Sequence, residues 1–293
     1  MAANVHIGFA VFIAVATTQS SISARAADPS KHCVWRVTNV SVPFYLVGSF
    51  HNLRGDDYPL PGAYRKALSD SKRLLFEYNP KERELFARKF RAAAKYPPGR
   101  DITNDLRPAT LALLMRYLAS HRIWFDEMKD YKPWALALRL WTMRGYAAAV
   151  GTRSVDDYLS FEAQRLGKEV SGLESVQEHV AFWENMLQAD GENLLVTTML
   201  RGDRIRIRFD ETRAAWKKGD IAALSATNAS LRKGDRQTAQ RLLDQRNLKW
   251  LPRIEAEMKT GTPTAIVAGA GHFSGPHSVV DLLQKRGYKI EQL

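Results

Sequence analysis

The amino-acid sequence predicts an α/β (α+β) fold: a single domain with a mixed central sheet built from the N- and C-terminal segments and a large helical insertion. Apolar runs of strand length occur mainly near the two ends of the 293-residue chain, whereas helical periodicity dominates its middle. Near the N-terminus a strand, a helix and a second strand follow one another closely, which is typical of a βαβ unit with a parallel pair. Hydrophobic residues make up 45% of the chain, which excludes a disordered or fibrous protein.

Short apolar runs define the predicted strands, which are residues 42–48, 73–77, 169–173, 264–268 and 288–291. Stretches with helical spacing of apolar residues define the predicted helices, which are residues 61–72, 81–143, 210–258 and 276–286. Proline and glycine interrupt the two long helical stretches, at Pro97-Pro98-Gly99, Lys132-Pro133-Trp134, Gly219-Asp220 and Gly234-Asp235. Because strands lie at both ends of the chain, we expect the ends of strands 44–48, 73–77 and 264–268 to lie side by side in one sheet.

The first 26 residues are predicted to be a signal peptide, followed by a domain over residues 27–293. Residues 7–17 are apolar and uncharged, but they are fewer than the roughly 20 residues that span a bilayer. Small residues at Ala24 and Ala26 suit signal-peptidase cleavage, although no Lys or Arg precedes the apolar run. The alternative is a retained membrane anchor or a mis-assigned start. We therefore expect a periplasmic or secreted protein with no stable membrane span after cleavage.

The charge and cysteine content limit the partners. The chain has 43 Lys and Arg against 31 Asp and Glu, a net charge of +12, but the basic residues are scattered among acidic ones. This pattern favours a generally basic surface and predicts no nucleic-acid partner. Cys33 is the only cysteine, so an intramolecular disulfide is excluded. The sequence leaves the oligomeric state open.

Two histidines follow predicted strands in similar contexts. Gly48-Ser49-Phe50-His51 comes after the first strand, and Gly269-Ala270-Gly271-His272 comes after the strand over 264–268. Ligands of open α/β sheets bind at the carboxyl ends of strands, where glycine lets the chain turn sharply. The pair is therefore a candidate for shared metal ligation, the alternative being that each ring is satisfied by nearby backbone. As loop residues, both are expected to be replaceable without loss of the fold.

Two glutamates occupy similar places. Glu77 ends the strand Leu74-Leu75-Phe76, and Glu174 follows Ser171-Gly172-Leu173. A carboxylate beside a buried strand is unfavourable unless it is paired, hydrogen-bonded or metal-bound. Two imidazoles and one or two carboxylates suit a catalytic divalent metal that keeps a position open for water. The alternative is that each glutamate caps the helix that follows it.

Arg246 and Asn247 are the third candidate feature. In a helix over 240–251, Asn247 lies between Leu243 and Trp250 on the apolar face, with Arg246 beside it. Polar groups on an inward face need partners, and a substrate carboxylate or carbonyl is one possibility. A structural salt bridge is the other. Pro252 is expected to kink this helix.

Taken together, these motifs resemble the TraB/GumN family, which includes the TIKI metalloproteases and is more distantly related to the erythromycin-esterase and ChaN-like proteins. The resemblance extends from about Trp35 to the C-terminus. It is carried by ordered motifs: Tyr45-Leu46-Val47-Gly48-Ser49-Phe50-His51, Leu75-Phe76-Glu77, Lys132-Pro133-Trp134, Val155-Asp156, Gly172-Leu173-Glu174-Ser175, Arg246-Asn247 and Gly269-Ala270-Gly271-His272. One departure is Ser49, which stands where the family usually has threonine.

The resemblance implies a metal-dependent hydrolase with His51 and His272 as its paired signature histidines and Glu77 among the active-site acids, and we expect His51, His272 and Glu77 to hold the metal. The resemblance also implies that Glu77, Glu174, Arg246 and Asn247 are catalytic or pocket residues, with Glu77 either a ligand or the general base. The implied cofactor is a divalent ion such as Zn²⁺, Mn²⁺ or Co²⁺. The leading hypothesis is an exported peptidase, acting on a peptide or small-molecule substrate. Two alternatives are a metal-dependent esterase and a non-catalytic envelope protein that binds metal or haem.

Overall fold

The computed structural model describes residues 31–51, 53–145, 154–185, 188–234 and 239–293. Within them, the predicted mixed α/β fold is confirmed: six strands form one mixed sheet, accompanied by a large number of helical residues. The predicted signal peptide, residues 1–26, and its cleavage site lie outside the described residues.

The sheet has the strand order β4-β3-β5-β2-β1-β6. Its strands are β1 Val34–Val37, β2 Phe44–Ser49, β3 Arg73–Tyr78, β4 Glu169–Glu174, β5 Thr264–Gly269 and β6 Ile290–Gln292. The four strands β4, β3, β5 and β2 are adjacent and parallel, while β1 and β6 extend the sheet in antiparallel fashion. The predicted neighbourhood of β2, β3 and β5 is therefore confirmed, and their carboxyl ends lie at one edge.

The described α-helices are α1 Gly62–Asp70, α2 Arg83–Ala94, α3 Pro108–Ser120, α4 Pro133–Gly145, α5 Val155–Arg165, α6 Val176–Glu184, α7 Gln188–Lys217, α8 Ile221–Gly234, α9 Arg246–Lys259 and α10 Val279–Lys285. A π-helical segment, Gln240–Gln245, leads directly into α9, which continues through Pro252. The last helix begins later than predicted, because Ser278 caps it by accepting a hydrogen bond from the Asp281 backbone.

The domain divides into two compact units, the second of which is the helical insertion. The first unit contains the sheet and comprises the described residues up to 83, from 154 to 175 and from 210 onwards. The second comprises residues 84–145 and the described part of 176–209. An aromatic core holds the second unit, where the rings of Trp134 and Trp183 stack with centroids 5.5 Å apart and Phe90 meets both edge-on.

The continuous apolar patterns of β2 and β5 have a simple cause. Every residue of both strands is buried, as expected for parallel strands covered on both faces. Helices of the same unit also supply donors to the end of β2: the hydroxyl of Tyr64 and the indole N–H of Trp216 both donate to the Gly48 carbonyl, at 3.1 and 2.9 Å. These bonds fix the backbone just before His51.

Gly172 is expected to tolerate no side chain. A Cβ at this position in β4 would lie 2.4 Å from the Asn79 backbone nitrogen and 2.7 Å from the Tyr78 carbonyl carbon, which the chain cannot relieve by a rotamer change. We expect Gly172→Ala to lower the free energy of unfolding by about 3 kcal/mol, measured by urea denaturation. Gly62→Ala is the matched control, because its Cβ would meet only the Arg65 side chain at 4.0 Å. Equal stability of the two variants would contradict this packing argument.

Asp57, in the segment after His51, is buried with a side chain that is 0% exposed. Its carboxylate accepts from Arg213 at 2.6 and 2.7 Å and from the Arg54 backbone at 2.7 Å, with the Lys217 ammonium at 2.9 Å. Burial alone would raise the pKa of Asp57, but these donors and the charge of Arg213 lower it below its usual value. The ion pair therefore stabilises the fold above the unfolded-state pKa of about 3.9, and that contribution is lost as the pH falls through the lower folded-state pKa.

We expect Asp57→Asn to cost about 3 kcal/mol at pH 7, because it leaves the buried Arg213 without its main partner. The difference from the unmodified protein should shrink as the pH drops below about 4. Asp56→Asn is the control, since Asp56 contacts the same guanidinium but has a side chain that is 69% exposed. Urea titrations across pH measure both. A cost for Asp57→Asn that does not change with pH would contradict the assignment.

Candidate active site

The candidate site lies at the carboxyl edge of the four parallel strands. Glu77 is the second-to-last residue of β3, and Glu174 is the last residue of β4. His51 lies two residues after the end of β2, and His272 lies three residues after the end of β5. The first two residues of α9 contact these side chains: Arg246 donates to Glu77, and Asn247 accepts from His272. All six residues predicted from the sequence are thus placed in one region of the sheet-containing unit, which is where open α/β sheets bind ligands.

His272 is held by a chain of hydrogen bonds that fixes its tautomer. Its Nδ1 lies 2.7 Å from Asn247 Oδ1, and Asn247 Nδ2 donates to the His277 carbonyl at 2.9 Å. Because only the amide nitrogen can donate to a carbonyl, the Asn247 oxygen faces the ring and accepts from Nδ1–H. The neutral ring therefore carries its lone pair on Nε2, and Arg246 Nη1 lies 3.3 Å from that atom.

His272 is also more deeply packed than a loop position predicts. It is 5% exposed, and its ring lies 4.5 Å from that of Trp250. The turn that carries it is tied to α8, where Asn228 donates to the carbonyls of Gly271 and Ser274, each at 3.0 Å. Replacement of His272 will therefore disturb packing as well as chemistry.

His51 is held in the same tautomer by a different kind of partner. Its Nδ1 lies 3.0 Å from Asp156 Oδ2, and a carboxylate can only accept, so Nδ1 carries the proton. The Ser49 hydroxyl donates to the same oxygen. Burial would lower the pKa of His51, but the charge and hydrogen bond of Asp156, followed by the charge of Glu77, raise it above its ordinary value.

The two rings and Glu77 surround the space beside Gly269. A Cβ on Gly269 would lie 3.6 Å from His51 Nε2, 3.6 Å from Glu77 Oε1 and 3.8 Å from His272 Cδ2. A methyl group would therefore fill a space that three polar side chains line. Glycine at the end of β5 leaves this position without a side chain.

Arg246 binds both glutamates. Its Nε and Nη2 each donate to Glu174 at 3.0 Å, and Nη2 also donates to Glu77 Oε2 at 2.7 Å. Burial would lower the pKa of Arg246, but the two carboxylates outweigh it and raise the pKa further above its ordinary value. The other oxygen of Glu77 accepts from the Gly269 backbone at 2.9 Å. Arg246 is therefore a charged bridge between two strand ends.

Trp250, one turn after Arg246, completes this bridge. Its indole N–H donates to Glu174 Oε1 at 2.8 Å, and the Arg246 guanidinium lies 4.7 Å from its ring centroid. The sequence placed Trp250 only on an apolar stripe. The sequence indicated Asp156 only as part of a motif and did not predict Asn228. An acidic residue in the first turn of a helix, like a polar residue inside a helix, is common without any role in a site.

The donor set fits a divalent cation of the kind that imidazole binds. Among the described residues, the carboxylates of Asp156, Glu77 and Glu174 and the guanidinium of Arg246 lie near the two imidazoles. Both rings carry on Nε2 the lone pair that a metal ion binds. As the side chains are placed, no three His, Cys, Asp or Glu within the described residues are grouped closely enough to hold an ion. His272 Nε2 and Glu77 Oε1 are 4.0 Å apart, with Arg246 beside both. An ion would therefore require Arg246 Nη1 to move away from Nε2.

Comparison with known proteins identifies the family of the chain. Residues 33–292 match the TraB/PrgY/gumN family. The chain belongs to this family. Its TraB/PrgY/gumN relatives include the zebrafish (Danio rerio) metalloprotease TIKI2, which is 25% identical over 302 residues. The matched region covers 85% of this chain and 58% of TIKI2.

Other relatives match over shorter stretches. The zebrafish metalloprotease TIKI1 is 26% identical, and the match covers 49% of this chain and 35% of that protein. The human (Homo sapiens) metalloprotease TIKI1 is also 26% identical, and the match covers 48% of this chain and 33% of that protein. The match to this chain thus spans 58% of the length of TIKI2 and about one third of the length of each TIKI1. No solved structure matches this TraB/PrgY/gumN member. None of its described helices is long and apolar enough to cross a membrane.

Proposed function

We propose that this protein is an exported, metal-dependent hydrolase that cleaves peptide bonds. The observation that carries the proposal is the common orientation of His51 and His272. Each ring is anchored through Nδ1, by Asp156 and Asn247 respectively, so that Nε2 carries the lone pair. This is the arrangement by which proteins prepare histidines for a metal ion.

The choice of peptide bonds rests on the relatives, which are named metalloproteases. Those relatives are about one quarter identical to this chain and are longer, so their names support the reaction class and leave the substrate to experiment. The site itself is compatible with any acyl substrate whose carbonyl reaches the space beside Gly269.

In this proposal His51 Nε2 and His272 Nε2 hold the ion, with Glu77 as the carboxylate. A divalent ion there would supply Lewis-acid activation of a water molecule and of the scissile carbonyl. Asp156 and Asn247 keep the rings oriented, and Glu174 with Trp250 holds the Arg246 guanidinium in place. The Gly269 backbone N–H holds Glu77 Oε1 at the mouth of this space.

Arg246 is assigned a narrower role than the sequence suggested. The sequence left open whether it contacts substrate or forms a structural salt bridge. Its Nε and Nη2 are engaged by Glu174 and Glu77, whereas Nη1 faces His272 at 3.3 Å. We therefore propose that Arg246 chiefly fixes the two carboxylates, and that any contact with a substrate carbonyl is made through Nη1.

The test is metal-dependent turnover by the purified protein. The protein is treated with EDTA, dialysed, and reloaded with Zn²⁺, Mn²⁺ or Co²⁺, then assayed on a peptide library and on aryl esters. We expect peptide cleavage that disappears on chelation and returns with at least one ion. Cleavage of esters alone would favour the esterase, and binding of metal or haem without turnover would favour the non-catalytic alternative. Peptide cleavage that survives chelation would contradict the proposed metal dependence.

Export is the part of the proposal that rests on residues 1–26. The small residues before Ala27 support cleavage there, which would release the protein to the periplasm or the medium. N-terminal sequencing of the protein from a bacterial host tests this, and we expect a start near Ala27. An intact Met1 on protein recovered with the membranes would contradict it.

A further inference from the structure

Asp156 lies on α5, an element that carries none of the six predicted site residues. Ser154 caps this helix, and Asp156 follows in its first turn. Its carboxylate oxygen Oδ2 lies 3.0 Å from His51 Nδ1 and also accepts from the Ser49 hydroxyl. The side chains of Asp156 and His51 are 21% and 13% exposed, so water screens their contact only in part.

This contact has a chemical consequence for the far side of the ring. Neutral imidazole has one N–H and one lone pair, and a carboxylate at Nδ1 holds the proton there and leaves the lone pair on Nε2. The negative charge also increases the electron-donating strength of Nε2. His51 Nε2 lies on the side of the ring that faces Gly269.

The second histidine has a partner of different charge. His272 Nδ1 donates to the neutral amide of Asn247, and its Nε2 faces the cationic Arg246. The two rings are thus held in the same tautomer, but Nδ1 of His51 faces a carboxylate and Nδ1 of His272 faces a neutral amide. The stronger of the two nitrogen donors is therefore expected to be His51.

We propose that Asp156 is a positioning residue, which holds His51 as the Nδ1–H tautomer and makes its Nε2 the principal imidazole donor to a divalent cation. The inference rests on the proposed metal-dependent function for its second half, the cation. Its first half, the tautomer, is a property of the protein alone. The two halves can therefore be tested separately.

The tautomer is tested in the metal-free protein. Histidine ¹⁵N NMR at about pH 9, well above the ordinary histidine pKa of about 6.5, distinguishes Nδ1–H from Nε2–H rings. We expect His51 to be Nδ1–H in the unmodified protein and to shift toward Nε2–H in Asp156→Ala. A His51 tautomer that is the same in both proteins would overturn the proposal, whatever metal binding shows.

The donor strength is tested by calorimetric titration with Zn²⁺ and Mn²⁺. We expect Asp156→Ala to weaken cation binding by about 10- to 100-fold, and Asp156→Asn to weaken it less, since an amide oxygen can still accept from Nδ1–H. Asp157→Asn is the matched control: Asp157 is the next residue of the same helix turn, and its carboxylate accepts from the Ser154 backbone N–H and pairs with Arg83. Circular dichroism is used to check that each variant folds. If Asp156→Ala does not fold, the affinity of Asp156→Asn is compared with that of the control instead.

The outcomes separate the two ideas. A loss of affinity in Asp157→Asn as large as that in Asp156→Ala would indicate a general effect of the helix turn and would overturn the donor role of Asp156. If the unmodified protein binds neither cation, the proposed metal dependence fails, and the donor role fails with it, while the tautomer measurement still decides whether Asp156 orients His51. A tautomer change with a selective loss of affinity supports the whole proposal.

Discussion

Replacement of Arg246 by methionine is expected to destabilise the folded protein by about 3–5 kcal/mol, because it leaves two carboxylates at the sheet edge without their shared cation. Glu174 is 5% exposed, and Glu77 has a side chain that is 14% exposed, so water can replace the guanidinium only in part. Methionine keeps much of the side-chain length that packs on Trp250. The expected loss therefore comes mainly from charge.

The pH dependence identifies that origin. Without Arg246, the two glutamates would bind protons more readily in the folded than in the unfolded protein, because burial and mutual repulsion disfavour the second negative charge. The contribution of a group whose folded-state pKa is raised is fully present below its unfolded value, about 4.3 for glutamate, and is lost as the pH rises from there through the folded-state pKa. The stability deficit of Arg246→Met should thus be largest at neutral pH and shrink toward pH 4.

A double variant separates charge from packing. Glu174→Gln keeps an oxygen that can accept from Trp250 Nε1 but removes one negative charge. We expect Arg246→Met with Glu174→Gln to recover part of the stability in urea denaturation, without recovering hydrolysis. Arg253→Met is the control, because Arg253 is an exposed arginine of the same helix. A deficit for Arg246→Met no larger than that of Arg253→Met would contradict the bridge.

The sequence predicted the sheet where local pattern and burial coincide. The runs in β2 and β5 are apolar at every position because both faces of a parallel strand are covered, and both were predicted within about two residues. Strand β1, Val34–Val37, was not predicted. It has only four residues, and its partners β2 and β6 are set by pairing across the chain, which local pattern does not contain.

The candidate site was predictable to the extent that it follows strand ends. His51, Glu77, Glu174 and His272 each come at or just after an apolar run, so their common location follows from parallel pairing alone. Their partners do not follow from any run. Asp156 is 107 residues from Ser49 in the chain, and in the sequence it has the pattern of an ordinary acidic residue in the first turn of a helix. Likewise, an inward-facing Arg246 suits a substrate contact and a salt bridge equally well until Glu77 and Glu174 are placed beside it.

The second large effect is expected at His272. Its Nε2 is a proposed ligand, so replacement should reduce metal-dependent hydrolysis to the level of the chelated protein. Alanine would also leave Asn247 Oδ1 buried without its donor and open a gap against Trp250, at a cost of about 1–3 kcal/mol. His272→Gln fills more of that volume and is the better test of chemistry.

His277 provides the matched control for that test. Its side chain is exposed, and its contribution to the site is the backbone carbonyl that accepts from Asn247. Its φ of 63° is one that asparagine tolerates, so His277→Asn keeps the carbonyl in place. We expect His277→Asn to keep both cation affinity and turnover, and His272→Gln to lose both while remaining folded by circular dichroism. Retention of cation binding and full hydrolysis by His272→Gln would mean that this ring is not a ligand, since the lone pair on its Nε2 is the feature that assigns it to the ion.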